Sequence, residues 1–123
     1  MAELGNGLIN YMGHQWLAIE DDIITIGIIE ESLEELDEIT KVDMPAENDG
    51  VEKDEICGEI ETKDGSMNIY APVEGTVFEV NTAVVGNPDL LREDPYGDGW
   101  VIKIQASNVE EVKELTSGSN YDN

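Results

Sequence analysis

Apolar residues in this chain gather in short β-branched runs separated by polar turns. Trp16-Leu17-Ala18-Ile19-Glu20 and Ile23–Ile28 read as two strands joined by a tight acidic turn at Glu20-Asp21-Asp22. The period then changes. Leu33, Leu36 and Ile39 recur every three residues, and Ser32-Leu33-Glu34-Glu35 fits a capping box, which predicts a short helix over 30–39 lying on a sheet. Its carboxylate-rich other face reads as a solvated surface. Thr40-Lys41-Val42-Asp43-Met44 is the next strand, ended by Pro45 and the polar run Glu47-Asn48-Asp49-Gly50.

Further strands are expected at Ile56–Thr62 and at 67–70, with Lys63-Asp64-Gly65-Ser66 between them. Asp-Gly between two strand-like runs is a strong hairpin signal, because glycine accepts a positive φ without steric cost. Ala71-Pro72-Val73-Glu74-Gly75 makes a bend before a strand over 76–81. Asn87-Pro88-Asp89-Leu90-Leu91 is a helical turn with Pro88 where its missing N–H costs nothing. A loop over 93–99 precedes a final strand over 100–104, and Ser107-Asn108-Val109-Glu110 fits a second capping box. Short strands with turns every 8–12 residues predict a mainly β sandwich or barrel with short flanking helices and a C-terminal helix. The expected division is a loose N-terminus over 1–10, one domain over 11–106, a helix over 107–116 and a fraying tail over 117–123.

Charge changes the picture more than length does. The 123 residues hold 29 Asp and Glu against 6 Lys and Arg, a formal net charge of -23. Nucleic-acid binding needs a basic surface, and an anionic membrane would repel this one, so neither is an expected partner. No apolar run approaches the roughly 20 residues of a membrane span. The first residues, Met-Ala-Glu-Leu-Gly-Asn-Gly, have neither the basic nor the apolar region of a signal peptide, and a cytoplasmic location is expected. An apolar content of 40% with high charge borders on a disorder signature, but the clustering of the apolar residues argues for a folded, acidic domain.

Candidate chemistry is sparse. Cys57 is the single cysteine and excludes an internal disulfide; in Glu55-Ile56-Cys57-Gly58-Glu59-Ile60 it reads as a small buried residue on a strand. His14 is the single histidine, which excludes histidine-rich zinc sites. Asp49-Gly50 and Asp94-Pro95-Tyr96-Gly97-Asp98-Gly99 lack the ligand alternation of a calcium loop, so no metal is expected. Trp16, Trp100, Tyr70 and Tyr96 read as core and loop anchors. No nucleophile–base pair stands out, and an enzyme is not expected.

In order along the chain, several segments resemble the glycine cleavage system H protein family. His14-Gln15-Trp16 resembles that family's His-Glu-Trp, and Thr25-Ile26-Gly27-Ile28 its Thr-Val-Gly-Ile. Glu38-Ile39 through Val42-Asp43-Met44-Pro45 resembles Asp-Ile-x-x-Val-x-Leu-Pro, and Tyr70-Ala71-Pro72-Val73-Glu74-Gly75 resembles Tyr-Ala-Pro-Val-Ser-Gly. Asn87–Leu91 followed by Glu93-Asp94-Pro95-Tyr96-Gly97-Asp98-Gly99-Trp100 is nearly the family pattern in full. The resemblance runs from about Tyr11 to Ser107. It implies a lipoyl-type barrel-sandwich hybrid and a carrier rather than an enzyme. In such carriers a lipoyl group on one hairpin-tip lysine takes the aminomethyl group from the decarboxylase to the aminomethyltransferase, and is reoxidised by dihydrolipoyl dehydrogenase.

At that hairpin the chain departs from the family. The family reads Glu-Ser-Val-Lys-Ala-x-Ser-Asp-x-Tyr; this chain reads Glu61-Thr62-Lys63-Asp64-Gly65-Ser66-Met67-Asn68-Ile69-Tyr70. Without a gap, the carrier lysine falls on Asp64, and a carboxylate cannot form the lipoyl amide. The resulting expectation is an unlipoylated, monomeric H-like protein, without cofactor. It would dock on basic surfaces of glycine-cleavage or lipoate-handling enzymes, the lipoyl ligase among them. The alternative is a working lipoyl carrier that uses Lys63, the hairpin being re-registered by one residue. Biotinylation fits worse, because that family wants Met on both sides of its lysine. By family analogy His14 would contact a lipoyl arm; as a plain residue it would pack and anchor the first strand.

Overall fold

The structure is a computed structural model that describes residues 9–11, 14–35, 38–108 and 110–113. Two antiparallel sheets share one core. The larger has six strands in the order β1 (Ile9–Tyr11), β2 (Gln15–Glu20), β3 (Ile23–Ile28), β9 (Ile102–Ala106), β8 (Gly75–Val80) and β5 (Gly50–Val51). The smaller has three, in the order β4 (Ile39–Asp43), β6 (Ile56–Thr62) and β7 (Gly65–Tyr70). Short helices α1 (Glu30–Glu34), α2 (Thr82–Gly86) and α3 (Leu90–Glu93) lie in the connections. Ile24, Ile26, Ile28, Val77, Ile102 and Ile104 from the larger sheet join Ile39, Val42, Ile60 and Ile69 from the smaller in one buried cluster. Among the described residues neither sheet closes on itself; the architecture is a two-sheet sandwich, within the class the strand pattern predicts and of the barrel-sandwich hybrid type that the family resemblance implies.

Period-two alternation explains most of the strands. In β3, Ile24, Ile26 and Ile28 alternate into the core. Register Glu20↔Ile23 leaves Asp21 and Asp22 as the turn, and Asp21 takes a left-handed conformation with φ 57°. Aspartate tolerates that region better than most residues. The opposite face of β2–β3 is covered too. Gly27 lies across from Trp16, and a Cβ at Gly27 would overlap the indole. The indole Nε1 donates to Pro95 O at 2.8 Å, and the ring meets Tyr96 at 6.1 Å between centroids. This pins the 93–99 loop over the sheet.

Local sequence misled where a distant side chain completes an element. The helix expected over 30–39 spans only Glu30–Glu34, Ile39 opens β4, and Leu36 falls outside the described residues. Ser32 sits inside α1, so the expected capping box does not form; Ile29 is the N-cap and offers no side-chain bond. The free N–H of Glu30 donates instead to the Tyr96 hydroxyl at 3.0 Å, and Arg92 Nη2 donates to Leu33 O at the other end. The second box is displaced by one residue. Ser107 Oγ donates to Glu74 O, while Asn108 Oδ1 accepts the Glu110 N–H at 2.9 Å, with 110–113 helical. The remainder of the expected 107–116 helix, and the tail over 117–123, lie outside the described residues.

Three short elements carried no readable signal. Ile9 and Asn10, assigned to a loose leader, pair with Leu17 and Trp16 as part of β1. The two residues of β5 pair with Thr76 and Gly75. Thr82-Ala83-Val84-Val85 is β-branched in composition yet helical, because Asn81 is buried and caps it. The Asn81 side chain accepts from Ala83 N and donates to Asp98 O and Trp100 O, so the cap depends on a loop about 20 residues downstream. The final strand begins at Ile102, two residues later than the apolar run predicts.

Candidate functional site

The β6–β7 hairpin is the feature the sequence singles out. Its ladder runs through Glu59↔Asn68, Ile60↔Met67 and Glu61↔Ser66 to a last pair, Thr62↔Gly65. Lys63 and Asp64 are therefore the two residues of the turn, and both are exposed. Neither takes a positive φ; the departure from ordinary geometry falls on Gly65, at φ 156°. That is why glycine follows the turn. Thr62 Oγ1 donates to Gly65 O at 3.1 Å across the last pair. The Lys63 N–H donates to Glu38 O at 3.0 Å, which ties the tip to the start of β4, and Thr40 Oγ1 donates to Glu61 O at 3.2 Å. The tip is thus held by its own ladder and by the neighbouring strand.

The base of the hairpin is fastened to the larger sheet. Gln15, fully buried, donates from Nε2 to Tyr70 O at 2.9 Å and accepts at Oε1 from Tyr70 N at 2.8 Å. Its amide replaces a strand neighbour for Tyr70 and joins the two sheets. His14 Nε2 lies 3.2 Å from Asn68 O, and its ring stands edge-on to Tyr70 at 6.2 Å. Tyr11 Oη donates to Asp54 Oδ1 at 2.6 Å, just ahead of β6. His14 therefore meets β7 at Asn68, four residues along the chain from Asp64, a span of roughly 13 Å in an extended strand. Gln15 carried no signal as a clamp, since a polar residue beside Trp16-Leu17 reads as the outward face of a strand.

On the outward face of the smaller sheet, Asp43 stands opposite Glu59, and Lys41 opposite Glu61. Carboxylate oxygens of Asp43, Glu59 and Glu61 all lie within 4.8 Å of one another. These three are what the described residues offer a hard cation, with half the ligands such an ion takes. Beside the β5 edge an open depression is lined by Glu52, Glu55, Glu74, Thr76 and Ser107. The Ser107 hydroxyl is engaged with Glu74 O, and the single histidine lies instead against β7. Cys57 is buried at the bulge between Ile56 and Gly58, where desolvation pushes its thiol from 9.0 up to about 12. It is not a nucleophile at neutral pH. No helix among the described residues is long and apolar enough to cross a membrane.

Known proteins resemble this chain in sequence and in fold. The sequence model of the family described as "Glycine cleavage H-protein" matches residues 9–123. The glycine cleavage system H protein of Synechococcus sp. (strain JA-2-3B'a(2-13)) is 41% identical over 108 residues, covering 88% of this chain and 84% of the relative. That of Acinetobacter baumannii (strain AYE) is 38% identical over 109 residues, covering 89% and 88%. A crystal structure of a glycine cleavage system H protein from Mycobacterium marinum superposes with a TM-score of 0.72 at 29% identity, covering 85% of this chain and 92% of that one. A match this long, joined to relatives of about 40% identity over most of the chain and to the same fold, makes this chain a member of the glycine cleavage H-protein family.

Proposed function

We propose that this chain is an H-protein-like member that works by docking, without a lipoyl arm. The observation that carries the reading is Asp64 in the exposed two-residue turn of the hairpin, which a gap-free resemblance to the family's Glu-Ser-Val-Lys segment would set on the lipoyl lysine. A carboxylate cannot form the amide, so the family's cofactor has no attachment at that residue. What remains is the family's scaffold and a surface of high negative charge. Its partners are the basic faces of enzymes that receive H proteins: the decarboxylase, the aminomethyltransferase, dihydrolipoyl dehydrogenase and the lipoyl ligase. Long-range attraction would speed these encounters. In this reading the chain acts as a docking scaffold rather than as an enzyme, in keeping with a buried cysteine and a histidine that lies against a strand carbonyl.

A second reading is favoured by the hairpin geometry. Lys63 is the other residue of the two-residue turn, so its amine reaches the tip without a slip of register. In that reading Lys63 Nζ holds the lipoate, which would supply a dithiolane able to carry an aminomethyl group. The amine projects one position earlier than the family's, and a ligase must accept the altered direction.

Intact mass after expression with an active lipoyl ligase and lipoate separates the two. The docking reading expects no lipoyl increment on the native chain and a full increment on Asp64→Lys. An increment on the native chain that vanishes in Lys63→Ala establishes the carrier reading instead. A folded Asp64→Lys protein that the ligase ignores would show that the recognition surface around the tip has diverged as well.

A further inference from the structure

We infer that the outer edge of β7 is a docking site for an extended, basic segment of a partner protein, which adds to the smaller sheet as a further strand. Among the described residues β7 is the outermost strand of that sheet, paired on one side with β6. Along an antiparallel strand the backbone groups of successive residues point alternately toward and away from the neighbour. A two-residue turn makes Thr62↔Gly65 a bonded pair, so Gly65, Met67 and Ile69 face β6. Ser66, Asn68 and Tyr70 therefore turn their N–H and C=O to the outer side.

Side chains fill one half of that edge. Gln15 Nε2 donates to Tyr70 O, Gln15 Oε1 accepts from Tyr70 N, and His14 Nε2 lies 3.2 Å from Asn68 O. Together they stand in for a neighbouring strand at the base of the hairpin. Toward the tip no further strand lies beside β7 among the described residues. The Asn68 N–H and both backbone groups of Ser66 face outward there, Ser66 being exposed and Asn68 half-buried. A short open edge of this kind is a template for an incoming strand.

Charge identifies the occupant. On the outward face Glu61 stands across from Ser66, and Glu59 across from Asn68. Asp43 lies beyond Glu59, with carboxylate oxygens of the three within 4.8 Å of one another; Lys41, opposite Glu61, offsets one of these charges. A residue added opposite Ser66 or Asn68 shares this face and stands about 10 Å from β6, two strand spacings away. An extended arginine or lysine crosses most of that distance over the short Ser66 and Asn68 side chains, and a glutamate reaches it from the other direction. A second copy pairing edge to edge would instead set two such faces in one sheet, on chains that each carry -23. The repulsion selects against self-pairing and for a basic partner.

The inference rests on the docking reading for its biological partner and adds to it the face and the mode of contact. Its test is independent of lipoylation. Isotope-labelled protein is titrated at low salt with acetyl-Arg-Thr-Arg-Thr-Arg-amide, and with the same peptide N-methylated along its backbone, which keeps the charge and blocks strand pairing. The expected result is shifted resonances and slowed amide exchange at Ser66 and Asn68, with the N-methylated peptide binding about tenfold or more weakly. Replacing Glu59→Gln and Glu61→Gln together should weaken the unmethylated peptide more than Glu20→Gln with Glu79→Gln, which removes equal charge from the larger sheet. Equal binding of the two peptides, equal effects of the two double variants, no binding, or shifts centred away from β7 would overturn the inference. If salt-dependent docking on whole partner enzymes persisted in any of those cases, the docking reading would stand and this edge alone would be excluded. Concentration-dependent dimers that protect Ser66 and Asn68 without peptide would assign the edge to a second copy and overturn it as well.

Discussion

Single residues in this protein are decided by what surrounds them. Lys63 and Asp64 share one exposed turn, and of the two only the lysine amine can form an amide with a carboxylic acid. Cys57 shows the same dependence through its proton. Burial pushes its thiol up to about 12, against a smaller opposing effect of its backbone hydrogen bond. The unfolded thiol loses its proton near 9 while the folded one keeps it. Over that interval the unfolded state binds fewer protons, so stability falls as pH rises. The contribution approaches about 1.4 kcal/mol per pH unit between the two values. Urea midpoints at about pH 8 and about pH 10 should therefore drop more for the native chain than for Cys57→Ala, an excess that this linkage requires.

At the scale of elements, the fold is stitched by side chains reaching across the sequence. Gln15 joins the two sheets through Tyr70, and α1 is satisfied at one end by Tyr96 and at the other by Arg92. A close fit joins β2 and β3, where the Trp16 indole occupies the space a side chain at Gly27 would need. Gly27→Ala must displace that ring and loosen its bond to Pro95 O. A loss of about 1–3 kcal/mol in chemical denaturation is expected, with a red shift in tryptophan emission as the indole meets water. Gly86→Ala is the matched control. It ends α2 in open space, and its effect should stay within about 1 kcal/mol of neutral, on the stabilising side.

For the whole molecule, the charge of -23 acts on two equilibria with opposite sign. Crowded carboxylates such as Asp43, Glu59 and Glu61 repel one another in the compact state. Screening relieves that repulsion, since the Debye length shrinks from about 10 Å at 0.1 M salt to about 3 Å at 1 M. Calorimetry in potassium chloride should show the melting temperature rising by several degrees over that range, where about 1 kcal/mol corresponds to roughly 4 °C. Docking on basic partners should weaken over the same salt series, chiefly through a slower association rate. A melting temperature indifferent to salt would mean that the carboxylates are already compensated. A salt-independent on-rate would remove charge from the docking account.

The amino-acid sequence by itself determined the strand pattern, the two acidic or polar hairpin turns and the family. These features are written locally: alternation in Ile23–Ile28, Asp-Gly after Lys63, and ordered segments such as Tyr70–Gly75. It also carries the expectation that Asp64 stands where the family keeps its lysine, because the segment from Glu61 to Tyr70 matches the family's in length without a gap. Tertiary structure alone decided the rest. The ends of α1 are satisfied by Tyr96 and Arg92, and the Asn81 cap of α2 is held in place by the loop around Asp98; no local pattern encodes a partner that far along the chain. Gln15 became the joint between sheets because burial leaves its amide one set of backbone partners. Local propensity sets what a segment can form; the energy of ordering it is repaid by contacts distant in sequence.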